Sequence, residues 1–222
     1  MADLLQEVDE VMRQERMEKF WQENKNYIIG FIVGTILLTG ILSGYRSWDA
    51  NVKAEQTATI MALQDAENYP QNLVDADLNL RAGLRGMAIM QAAATALGED
   101  DQETALKLYE RAAADIKLPK DIRQSAIIGA VNLKLNAEEA PDANALLQQL
   151  QIIIQDANSP WTAHANILSA VVLAHLNKDY DQALKQLEAA SKIENLPQSL
   201  STRINALGHV YTMNKNNASE TE

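Results

Sequence analysis

Hydrophobic and polar positions divide the chain into three regimes. Over residues 1–26 apolar positions are sparse, and Leu4, Leu5, Val8, Val11 and Met12 fall on one side of a 3.6-residue period. This predicts a short amphipathic helix whose other side, Asp3, Glu7, Asp9 and Glu10, is acidic. Tyr27 to Tyr45, YIIGFIVGTILLTGILSGY, then carries no charge. At about 1.5 Å per residue this run makes a helix about 28 Å long, close to the roughly 30 Å hydrocarbon core of a bilayer. Phe20, Trp21 and Tyr27 before it and Tyr45 and Trp48 after it stand where amphipathic aromatics meet a membrane surface, so a transmembrane helix is expected over 27–45. From Trp48 onward no stretch alternates with period two, and Ala, Leu, Gln, Lys and Glu dominate, which predicts helices throughout. Their expected spans are about 50–68, 78–97, 101–116, 120–136, 142–157, 161–177, 180–193 and 198–214. Asn68-Tyr69-Pro70, Leu118-Pro119, Ala140-Pro141, Ser159-Pro160 and Leu196-Pro197 punctuate them, with Ser159 expected as an N-cap and Pro160 as the first helical residue. The polar stretch from Asn214 to Glu222 is expected to be disordered.

The uncharged run follows 26 mostly polar residues, exceeds the length of a signal-peptide core and lacks a small-x-small cleavage site before Tyr45, so it reads as an uncleaved signal anchor. Arg13, Arg16, Lys19 and Lys25 precede it, against Arg46 and Lys53 just after it; that bias places the tail in the cytoplasm and the domain across the membrane. In a Gram-negative bacterium that compartment is the periplasm. Gly30, Gly34, Gly40 and Gly44 form two GxxxG pairs and fall within about 120° of arc, so they line one groove in which a second membrane helix fits. Thr35, Thr39 and Ser43 make a strip on the opposite side.

Charge narrows the partners. With 19 Lys and Arg against 30 Asp and Glu, the net charge is −11, and the acidic balance holds in both tail and domain. That sign argues against nucleic acid, whose phosphates require basic patches. The chain has no cysteine, which excludes disulfides, thiolate metal sites and cysteine nucleophiles. His164, His175 and His209 lie on apolar helical patterns without ligand spacing, so packing roles are expected, with no metal and no cofactor. No phosphate-binding glycine loop or nucleophile motif occurs, and acidic pairs such as Asp100-Asp101 and Glu138-Glu139 fall at turns; neither an enzyme nor a small-molecule substrate is expected.

The helical part repeats itself. ALKLYERAAADIKLP, from Ala105 to Pro119, and ALKQLEAASKIENLP, from Ala183 to Pro197, share their spacing and a glutamate, Glu110 and Glu188; a degenerate middle copy begins at Ala145-Leu146 and ends at Pro160. The starts lie 40 and then 38 residues apart, the length of one helix-turn-helix unit. KDYDQALKQLEAA, Lys178 to Ala190, resembles the second helix of a tetratricopeptide repeat at Asp179, Tyr180, Ala183, Leu184, Leu187 and Ala190, and DQETALKLYERAA, Asp101 to Ala113, matches at Ala105, Leu106, Tyr109 and Ala112. The helices before Asp101 and Asp179 lack that family's Trp, Leu-Gly and Tyr set, and no arginine pattern for clamping a peptide carboxylate is present. The resemblance implies an all-α chain, an N-terminal transmembrane helix followed by a tetratricopeptide-like helical solenoid over 46–213. It also implies that Ala105, Tyr109, Ala112, Ala183, Leu187 and Ala190 pack helix on helix.

The whole layout is similar to a narrower family. EVDEVMRQERMEKFW in the tail, one membrane helix, YRSWDANVKAEQ and then a degenerate repeat domain resemble the single-span proteobacterial inner-membrane proteins known as ancillary subunits of the Sec translocon. The resemblance implies a periplasmic domain and protein partners, namely translocon subunits, periplasmic folding factors or exported chains, in a chaperone-like or scaffold role. Two other roles suit the same layout: a structural envelope scaffold for cell division or complex assembly, and, with reversed topology, a cytosol-facing targeting receptor.

Overall fold

The computed structural model describes the backbone of residues 2–137 and 141–220; the side chains of residues 2–16, 18, 20, 22–24, 26, 28–30, 32, 33, 219 and 220 lie outside the described residues. The apolar and acidic sides expected of the tail helix, Gly30 and the Glu138-Glu139 pair are therefore outside them too. Among the described residues every element is helical: α1 (Ala2–Gln64), α2 (Tyr69–Asp75), α3 (Ala82–Gly98), α4 (Gln102–Ala114), α5 (Lys120–Leu135), α6 (Ala143–Ile154), α7 (Thr162–His175), α8 (Tyr180–Ser191) and α9 (Gln198–Glu220). The chain divides into two compact units, Met1–Met61 and Ala62–Glu222.

α1 runs without a break through the tail, the uncharged stretch and the first expected domain helix. No proline precedes Pro70, so nothing in this stretch forbids a continuous helix. Among the described residues no helix is long and apolar enough to cross a membrane; residues 28–30, 32 and 33 of the expected span lie outside the described side chains. Thr35 Oγ1 donates to the Phe31 carbonyl and Thr39 Oγ1 to the Thr35 carbonyl, so these two hydroxyls are satisfied within their own helix.

In the second unit each helix packs on its successor, and α3 with α5, α5 with α7 and α7 with α9 also touch. α7 is the centre of this stack. Ten of its residues, from Ala163 to Ala174, are buried, because its sequence is apolar almost all round. One side joins Ala165, Leu168 and Val172 to Ile128 and Val131 of α5 and Leu146, Leu150 and Ile153 of α6. The other joins Ile167, Ala170, Leu173 and Ala174 to Ala183, Leu187 and Ala190 of α8 and Ile204 and Tyr211 of α9.

The element ends show the chemistry that punctuates them. α4 and α8 begin alike: Asp101 accepts from the Thr104 amide and Asp179 from the Gln182 amide, satisfying an amide that the first turn leaves open. The residue before each cap, Asp100 at φ 60° and Lys178 at φ 56°, is left-handed, so one turn geometry recurs in the two best-matched copies. α2 and the start of α3 depart from expectation. Asn68-Tyr69-Pro70 does not simply end a helix; it opens α2, with Pro70 in the first turn, where a missing amide costs nothing. The carbonyls at the end of α2 find their donor far along the chain: the Arg111 guanidinium of α4 donates to Leu73, Val74 and Ala76. Leu78 and Leu80 are buried in an extended segment, so α3 starts at Ala82 instead of 78. Ser159 does not cap α7, which begins at Thr162. Its hydroxyl accepts from the Trp161 amide and donates to Gln124 Oε1 of α5, while Gln124 Nε2 donates to Asp156. That bridge holds the α6–α7 turn against α5 and uses the hydroxyl one turn early. At the other end α9 runs on past 214 to Glu220.

Two expected outcomes follow from these ends. Asp179→Ala should cost about 1 kcal/mol by opening the cap of α8, and Lys178→Gly should stabilise by roughly 1 kcal/mol by relieving a left-handed non-glycine residue; chemical denaturation of the two variants measures both, and equal midpoints would refute the shared turn geometry. Asp156 is held below the 3.8 of a free carboxyl by its bond to Lys120 and then by Gln124, and Asp101 likewise by the Thr104 amide and Gln71. Both are depressed in the folded state, so the stability they contribute is complete above 3.8 and is lost as pH falls through their folded values. Thermal melts from about pH 5 to pH 2 should therefore fall less steeply for Asp156→Asn than for the parent.

Candidate functional site

Three arrangements are candidates: the glycine side of α1, the helix crossings of the second unit, and the grooves between its helices. On α1, Gly34, Gly40 and Gly44 have open space among the described residues where a Cβ would stand. Gly30 is outside the described side chains. The large apolar residues around them face outward on every side, from Leu42 at 49 % exposed to Phe31 at 78 %, with Ile36, Leu37, Leu38 and Ile41 between. Consecutive exposed Ile36, Leu37 and Leu38 alone sweep about 200° of the helix circumference. Tyr45 and Trp48, with ring centroids 6.1 Å apart, end this run together with the Asp49–Lys53 ion pair at 2.7 Å.

In the second unit Ala105, Ala112, Ala183 and Ala190 are fully buried and Leu187 is 3 % exposed, all on the inward faces of α4 and α8. Tyr109 is half-buried, and its phenol is pushed up from the ordinary value by that burial. Its ring lies on Gly129 of α5: a Cβ on Gly129 would stand 2.8–2.9 Å from three ring atoms. Glycine leaves room for the ring there, so α4 and α5 approach closely at Tyr109–Gly129. Sequence reasoning missed Gly129. The apolar-glycine pair Ile128-Gly129, within the helix expected over 120–136, was the available signal.

The three histidines are separated. His164 lies edge-on to Trp161 with centroids 5.3 Å apart, and burial, then the Arg203 charge, lowers its basicity. His175 meets the ring of Tyr211 at 6.1 Å, and His209 is exposed. Among the described residues no group of three His, Cys, Asp or Glu is placed to hold a metal ion.

Open grooves among the described residues include three in the second unit. One of about 370 Å³ is lined mainly by polar groups, including Gln64, Asn68, Gln91, Thr95 and Glu99. A second, about 290 Å³, lies where α5 and α6 splay apart, between Ala113, Ala114, Ile127 and Ala130, with Glu110 and Gln149 at its edge. The Glu110 carboxylate there pairs with Lys134 at 2.6 Å. The third, about 260 Å³, runs across α3, α5 and the start of α7 and is predominantly apolar. None brings together a nucleophile, a base and an oxyanion donor. No protein-family model, curated protein or solved structure matches this chain.

The Tyr109–Gly129 crossing has a direct test. Gly129→Val should displace the ring and cost roughly 1–3 kcal/mol, and Tyr109→Leu in the same chain should recover part of that loss. Denaturant midpoints of the single and double variants measure the coupling, and strict additivity would show that the ring does not occupy this space.

Proposed function

We propose that the chain is a membrane-anchored protein-interaction module, held by the 27–45 stretch of α1, whose tetratricopeptide-like helical domain stands in the periplasm at the protein-export site. The observation that carries the reading is the band of large apolar side chains exposed on all sides of α1 between Tyr27 and Tyr45. A helix apolar all round needs either a protein core or a lipid core, and among the described residues open space stands where a Cβ on Gly34, Gly40 or Gly44 would lie. Thr35 and Thr39 keep their hydroxyls bonded within the helix, as a lipid environment requires. The solenoid part of the reading is supported by successive helix packing, by alternate helices in contact and by the common Asp caps of α4 and α8.

The export role draws on the likeness of the whole layout to ancillary translocon subunits, with translocon subunits, periplasmic folding factors or exported chains as partners. An anchored domain raises the effective concentration of weak binding surfaces at the membrane, which suits brief contact with emerging chains.

Site-specific photo-crosslinking during export tests this. Crosslinkers in the anchor and in the second unit are expected to give adducts with translocon subunits, folding factors or nascent chains. Adducts with resident envelope proteins alone would favour a structural scaffold, and cytosolic adducts a targeting receptor; either result replaces the export reading. Protease added outside spheroplasts is expected to degrade the domain and spare the tail, and a protected domain would reverse the topology.

A further inference from the structure

The groove across α3, α5 and α7 is built from two kinds of group. Met87 and Met90 of α3, Ile122 and Ser125 of α5 and the Trp161 ring supply a mostly apolar wall, and Asp121 supplies the charge. Trp161 Nε1 donates to the Asp121 carbonyl at 3.0 Å, which uses the indole's single polar atom and fixes the ring as a rigid wall. His164 packs edge-on against that ring. On the facing helix, Met87 is 65 % exposed. An unbranched thioether in such a position adapts to apolar shapes of different kinds.

The Asp121 carboxylate is exposed and has no hydrogen bond or ion pair among the described residues. Its neighbour Lys120 does not neutralise it, because Lys120 bonds to Asp156 at 2.7 Å. An exposed carboxylate lining the same groove as a fixed indole is a site for a cation, which gains from the ring quadrupole and from the charge together. At about 260 Å³ the groove falls below the roughly 300–1,000 Å³ of small-molecule sites. It suits one or two side chains of a polypeptide.

We propose that this groove binds a flexible segment of a partner protein in which an arginine or lysine stands beside aliphatic side chains. The aliphatic groups lie against Met87, Met90 and Ile122, and the cation lies between the Trp161 ring and the Asp121 carboxylate. The net charge of −11 favours approach of such a segment. The inference rests on reading the helical domain as an interaction module, and it adds the chemistry of what the module grips.

The full chain in zwitterionic lipid nanodiscs can be titrated against three labelled nonapeptides, alternating leucine with arginine, glutamine or glutamate, with fluorescence anisotropy as readout. The arginine peptide is expected to bind about tenfold or more tightly than the glutamate peptide. Because the acidic tail also attracts cations, the deciding measurements are the variants. Asp121→Asn is expected to weaken the arginine peptide about two- to fivefold and leave the glutamine peptide unchanged. Met87→Asn is expected to weaken both. Both positions are exposed, so neither variant disturbs the core. Equal binding of the three peptides, or an arginine affinity unmoved by Asp121→Asn or by Met87→Asn, would overturn the proposal. Asp121-dependent binding without translocon or chain adducts in cells would remove the export role and leave the groove; adducts without Asp121 dependence would do the reverse.

Discussion

The two-sided burial of α7 is the constraint on which the helical unit depends. Its sequence, TAHANILSAVVLAH, offers large apolar residues to α5 and α6 on one side and to α8 and α9 on the other, so two clusters of core residues share one helix. Deleting a large buried side chain such as Leu168 or Ile167 would cost about 2–5 kcal/mol, a large fraction of the stability of an ordinary domain. The alanines matter as much as the leucines. Ala165, Ala170, Ala183 and Ala190 are fully buried where helices approach closely, so the same sites reject bulk as firmly as the leucine sites reject its loss.

Polar groups at the helix ends set the order in which those apolar faces stack. Arg111 ties α2 to α4, Arg85 and Asp115 join α3 to the end of α4 at 2.8 Å, and Gln124, Asp156, Lys120 and Ser159 join α5 to the α6–α7 turn. Apolar burial has no direction, and an Ala-rich helix slides along its neighbour at little cost unless its ends are pinned. A guanidinium that satisfies three carbonyls at the end of a short helix fixes both position and rotation. The partly buried Arg85–Asp115 pair and the buried Gln124 are strong ties for the same reason: breaking one partner strands the other away from water.

Much of the local structure was legible in the sequence, because local patterns cause it. The 3.6-residue periodicity marked seven helices of the second unit, although α9 runs past its expected end at 214 to Glu220, and Asp101 and Asp179 each stand four residues before a repeated Ala-Leu-Lys because one cap chemistry recurs there. What was not legible depends on partners distant in sequence. α2 is a short helix whose carbonyls are satisfied by Arg111, 35 to 38 residues away, so no window around Tyr69 contains the reason for it. Gly129 is explained by Tyr109 on another helix, and Ser159 Oγ accepts from the Trp161 amide while its hydroxyl donates to Gln124 of α5, 35 residues away. The Asp121–Trp161 bond, which turns a surface tryptophan into the wall of a groove, spans 40 residues and leaves no local mark. Continuity of α1 was underestimated for the opposite reason: changes of composition at 26 and 46 look like boundaries, yet without proline a helix has no cause to stop there.

The size of the groove bears on the proposed anchor. A recess of about 260 Å³ buries one or two side chains, and the gain from that area is offset by the entropy of ordering a flexible segment, so binding free in solution is weak. Weak binding is useless to a protein that must find its partner by diffusion and useful to one that is held beside it. On the proposed reading, α1 supplies that proximity: a tethered domain meets any segment emerging nearby at an effective concentration in the millimolar range, where a shallow contact is occupied for part of the time and still released quickly. On the same reading, a deep, high-affinity pocket in that place would hold its segment and release it slowly. On that reading, a shallow groove with adaptable Met87 and Met90, a Trp161 ring held by the Asp121 carbonyl and an exposed Asp121 carboxylate suits brief contacts made under a tether.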